Sequence, residues 1–135
     1  MSLRLYKFKW FIALGIMIIT IATFYFNYTI VVKAPLTTTN HFGFFLYGFV
    51  FSLISLLFMT FKMRLASMIF IIGWASSLVL LYIELLQSLS NSHGTLGAAL
   101  GFLTNMMFAI IIAISLEVII FFLSKLRKNR GKTID

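Results

Sequence analysis

The sequence predicts an all-α integral membrane protein, an antiparallel bundle of four transmembrane helices with both termini in the cytoplasm. Three observations predict it. The 135 residues are 61% hydrophobic and only 10% charged, far less charge than the surface of a water-soluble domain needs. The apolar residues fall into four stretches, each near the roughly 20 helical residues that cross a ~30 Å hydrocarbon core. The eleven Lys and Arg residues gather in short clusters beside those stretches, as positive-inside topology demands.

The expected spans cover residues 10–28, 42–61, 65–87 and 95–124. They form a single transmembrane domain over residues 1–135 with a basic cytoplasmic tail at 125–135. The first span follows a basic arm of Arg4, Lys7 and Lys9, and Trp10 marks its inner edge. It ends in Phe24-Tyr25-Phe26 rather than in a small-residue cleavage site, so it is read as a retained helix and not a signal peptide. Tyr28 suits the outer aromatic belt. The next connection carries the only proline, Pro35, and the Thr37-Thr38-Thr39-Asn40 run. The second and third spans are separated only by Lys62-Met63-Arg64, a tight basic turn, and the third and fourth by the uncharged Ser88–Gly94 stretch. Connections this short make consecutive helices antiparallel neighbours.

Orientation follows from the basic residues. The N-terminal arm, the Lys62–Arg64 turn and the tail (Lys125, Arg127, Lys128, Arg130, Lys132) share one side of a four-span model, and Lys33 alone lies on the other. The basic side is expected to be cytoplasmic and to meet anionic headgroups. The net charge of +8 is read this way and not as nucleic-acid binding. With no cysteine, thiol chemistry, disulfides and Cys-based metal sites are excluded.

Lipid offers helices no hydrophobic reason to associate, so small and polar residues mark the packing faces. Helical spacing gathers Ala13, Thr20, Thr23 and Asn27 on the first helix, and His41, Gly48, Ser52 and Ser55 on the second. It gathers Ala66, Gly73, Ser77, Glu84 and Gln87 on the third, and Ala98, Gly101, Asn105, Ala109 and Ala113 on the fourth. Gly48, Gly73, Gly97, Gly101 and Asn105 are the expected packing residues. Gly97 and Gly101 form a GxxxG pair, and Trp74 is a packing residue. The abundant phenylalanine is expected to face lipid.

Glu84 and Glu117 are the only ionisable residues well inside the apolar stretches, and an intramembrane carboxylate is a functional candidate whose partner must be named. Glu84, Asn27, His41, Gln87 and His93 are expected near one level at the outer side, as a polar pocket. The bland alternative is an interfacial Glu84 bonded to Gln87 or a tyrosine. Glu117, towards the inner side, is expected to pair with Lys62 or Arg64. No phosphate loop, zinc-protease signature or catalytic grouping is found, so no enzyme activity, cofactor or metal is expected. The leading expectation is an accessory, stabilising or immunity-type protein that packs against a membrane partner or against its own copies. A small homo-oligomeric transporter or channel using Glu84 or Glu117, and an envelope sensor with an outward pocket, are the alternatives.

Overall fold

A computed structural model describes residues 8–33, 35–90 and 95–130. It is all-helical over those residues, with helices α1 (Lys9–Phe26), α2 (Thr38–Thr60), α3 (Arg64–Ser90) and α4 (Thr95–Arg130). A π-helical turn, Asn27–Val31, continues α1 without a break. Four stretches are long and apolar enough to cross a membrane: Lys9–Val31, Thr38–Thr60, Arg64–Gln87 and Gly97–Arg127.

The helix ends explain where the expected limits shift. The first span runs past residue 28 because Val32 N–H bonds the Asn27 carbonyl at 2.9 Å, five residues back. The second begins earlier than Phe42 because Thr37 is extended and its hydroxyl accepts from Asn40 N–H, an N-cap that the threonine run supplies. Its far end closes in a Schellman arrangement. Met63 N–H bonds Phe58 O at 3.0 Å, and Lys62 N–H bonds Met59 O at 3.2 Å. Lys62 takes φ 57° to do so, and Lys33 takes φ 55° after the first span. Glycine usually fills such positions.

Most helix–helix contact lies within two pairs, α1 with α2 and α3 with α4, while α2 and α3 touch more sparingly. Glycines set the spacing in each pair. A Cβ at Gly48 would come within 2.7 Å of Ile21 Cγ1 and 3.1 Å of the Met17 carbonyl oxygen. A Cβ at Gly73 would collide with Ala109 Cβ. Asn105 Nδ2 donates to Ser77 Oγ at 2.7 Å, and that hydroxyl donates to Gly73 O at 2.7 Å. The pairs are joined across the centre by Trp74 Nε1, which donates to Thr20 Oγ1 at 2.9 Å. Thr20 in turn donates to Ile16 O at 2.7 Å. This small polar chain leaves no dangling donor in an apolar interior.

The core is richer in aromatics than the sequence suggests. Phe24 and Phe102 are fully buried and meet edge to face at 5.2 Å. Phe44 and Tyr47 stack on Phe24 at 5.3 and 5.4 Å, and Phe51 meets Phe102 at 5.5 Å. Phe45, Phe49 and Phe108 are exposed, whereas the expectation that phenylalanine faces lipid does not fit this buried cluster. Small residues let helices approach, and these ring contacts hold α1, α2 and α4 together.

Candidate functional site

The two intramembrane carboxylates have opposite surroundings. Glu117, half-buried on α4, reaches the first turn of α3, where Ala66 N–H donates to its Oε2 at 3.1 Å. The first N–H groups of a helix have no partner within it, and α3 follows the Lys62 turn so closely that its own N-terminal residues supply no side-chain acceptor of the Ser, Asp or Asn type. A carboxylate from a neighbouring helix meets that need and the positive end of the helix dipole together. Sequence reasoning set Glu117 beside Lys62 or Arg64 in this same turn but overlooked the backbone as donor. An open groove of about 460 Å³ lies over the carboxylate, lined by Phe61, Met63, Glu117 and Phe121 among others.

Glu84 has no such arrangement. Its Oε2 is buried and without a hydrogen-bond partner. The carboxylate rests on Gly101 of α4. A Cβ there would overlap both carboxylate oxygens, with Oε1 2.6 Å and Cδ 2.8 Å away. Glycine at this position is thus the space that the carboxylate occupies. On α1, Asn27 is 1% exposed, and its Nδ2 donates to Thr23 O at 2.9 Å. That bond fixes the amide and leaves Oδ1 buried and unpartnered. Asn27 also opens the π-helical turn, a distortion that is frequent at functional sites.

The remaining expected residues have surroundings of their own. His41 is half-buried and its Nδ1 is hydrogen-bonded to the Tyr25 hydroxyl at 2.5 Å. Tyr25 is a partner that the small and polar faces do not reveal, because an aromatic residue does not stand out in an apolar helix. Gln87 is exposed, since three residues beyond Glu84 turn it some 60° off that face. It has an interaction of its own. His93 lies outside the described residues. Of the packing residues, Gly48, Gly73, Gly101 and Asn105 sit at helix contacts. Gly97 does not: it is exposed, with nothing within 4 Å of an added Cβ. The neighbouring Ala98 is the buried residue of that turn, so the expected GxxxG face is only half used within the bundle.

Among the described residues, no group of three or more His, Cys, Asp or Glu side chains is placed to hold a metal ion. No protein-family model, curated protein or solved structure matches the chain.

Proposed function

We propose that the chain is a small, non-enzymatic multi-pass protein of the cell membrane. It is an antiparallel bundle with both termini cytoplasmic, and it acts as an accessory, stabilising or immunity-type factor by packing against a membrane partner. Three interhelical pairs support the antiparallel order. Ala66 meets Glu117, Gly73 meets Ala109, and Ser77 meets Asn105, one number rising as the other falls. Lys9 Nζ, 3.4 Å from Thr60 Oγ1, sets the start of α1 beside the end of α2. The basic residues near that end favour a cytoplasmic side.

The observation that carries the partner reading is the overrun of α4. Glu117 is level with the start of α3, yet α4 continues for ten more residues to Arg127, about 15 Å at 1.5 Å per residue. Every residue from Val118 to Arg127 is exposed. Val118 to Leu123 is apolar on all sides, so it is not a helix that lies flat on a membrane with one wet face. The other three spans match a single bilayer thickness, and this apolar peg exceeds it on one side. A partner helix that covers the peg removes the mismatch.

The test is photocrosslinking in native membranes from Ile119 and Phe122, with Ile83 as the lipid-facing control. One discrete adduct with another membrane protein, or with a second copy, is expected from the peg and not from the control. Adducts with lipid alone from all three positions would overturn the reading. A second reading, a transporter or channel that binds a cation or proton, is favoured by the unpartnered Glu84 Oε2. Cation-coupled flux in liposomes, abolished by Glu84→Gln, tests it.

A further inference from the structure

Asn27 Oδ1 and Glu84 Oε2 are the two buried side-chain polar atoms without a partner among the described residues. Both are oxygens that accept, and neither has a donor facing it. The contacts along the helices bring them to one depth. Gly73 meets Ala109 and Ser77 meets Asn105, so the same register sets Gly101 opposite residue 81. The Glu84 carboxylate nevertheless lies on Gly101. Its side chain has therefore leaned back one turn, towards the start of α3, as helical side chains do. Residue 81 stands seven beyond Trp74, and Asn27 stands seven beyond Thr20, the residue that Trp74 binds. Equal steps along α1 and α3, about 10 Å each, end within about a helical turn of the same level, the reach of the Trp74 side chain.

Lateral contacts agree. The turn that Asn27 opens packs against α3. Phe24, one turn before Asn27, meets Phe102, the neighbour of Gly101, at 5.2 Å. These contacts set Asn27 and Glu84 on the sides of α1 and α3 that face each other beside α4.

We propose that Asn27 and Glu84 hold one alkali-metal cation between α1 and α3, with Gly101 leaving the carboxylate its room. This deepens the cation-binding reading and rests on it only for the choice of Glu84. A neutral amide oxygen and a carboxylate oxygen on separate elements suit a hard cation, which takes oxygen ligands. One positive charge cancels the carboxylate, whereas a divalent ion leaves an excess charge in a medium that penalises it. A bridging water would donate to both oxygens but would leave the carboxylate's charge unbalanced. The backbone from Asn27 onward already departs from α-helical hydrogen bonding, as in membrane helices whose irregular turns line ion sites.

The experiment uses the full chain purified in detergent. Equilibrium binding of radiolabelled sodium should give about one ion per chain, lost in Glu84→Gln and weakened at least tenfold in Asn27→Ala. Thermal unfolding should rise by about 3 °C or more between low and high sodium at constant ionic strength set with choline, since a ligand of the native state alone stabilises it. Glu84→Gln, which keeps the shape against Gly101, guards against simple misfolding: it should unfold cooperatively with no sodium response. Equal sodium responses in wild type and Glu84→Gln would overturn the site. So would stabilisation by acid alone with no sodium effect, which would assign the charge to a proton. Sodium binding without flux in liposomes would retain the site and remove the transport reading; the two failures are distinguishable.

Discussion

Replacing Gly73 with alanine probes the α3–α4 seam where backbone approach sets the spacing. The added Cβ falls inside the 3.0 Å that real Cβ contacts essentially never breach, against Ala109 Cβ, with Ala109 Cα at 3.7 Å. No flexible side-chain end can swing aside, because the obstacle is itself a Cβ fixed to a helix. Carbon contacts are best near 3.5–4.0 Å, so the seam must open by about 1 Å. The Asn105–Ser77 bond one turn away, now 2.7 Å, would then approach about 3.7 Å, beyond hydrogen-bonding range. Overpacking costs about 1–3 kcal/mol, and the lost interhelical bond about 0.6 kcal/mol. The better helix propensity of alanine offsets about 1 kcal/mol. The net expectation is a loss of about 0.6–2.6 kcal/mol. Unfolding in mixed micelles by SDS titration measures it. A double variant, Gly73→Ala with Ala109→Gly, should recover much of the loss, because it moves the methyl group across the seam and restores the spacing. Additive effects in the double-mutant cycle, or a neutral Gly73→Ala, would refute the account of this contact.

Three further outcomes are expected. Glu117→Ala should destabilise by about 1–2 kcal/mol through loss of the cap on α3, and Glu117→Gln by less, since its amide oxygen still accepts. Amide exchange at Ala66 should speed up in the alanine variant, and unchanged exchange there would mean the bond carries no weight. Thr20→Val and Trp74→Phe should be non-additive by about 0.6 kcal/mol or more, because each removes the same hydrogen bond. In a Trp10→Phe background, Thr20→Val should also shift Trp74 fluorescence, and an unmoved spectrum would count against the bond. Lys62→Gly should stabilise by about 1 kcal/mol, since glycine adopts the left-handed conformation without the penalty lysine incurs. A lowered unfolding midpoint would show that the Lys62 side chain matters more than its backbone strain.

By itself the sequence determined the number and approximate limits of the apolar helices. These depend on length and composition summed over some 20 residues, which the bilayer reads without regard to tertiary contact. It also identified Gly48, Gly73, Asn105 and the two carboxylates, because small or polar residues stand out in a lipid-facing composition. The tertiary structure decided what those residues touch. Periodicity gives a face but not its partner. It could not separate Gly101, pressed against Glu84, from Gly97 four residues earlier, which faces open space. Nor could it tell a phenylalanine of the Phe24–Phe102 core from an exposed one, since both are equally apolar and only the packing of the helices separates them. The carboxylates show the same division most clearly. The sequence placed Glu84 and Glu117 inside the apolar spans. Only the meeting of three-dimensional neighbours gave Glu117 a helix terminus to cap and left Glu84 with an unanswered oxygen, because a partner supplied by the backbone of another helix has no signature in residue order.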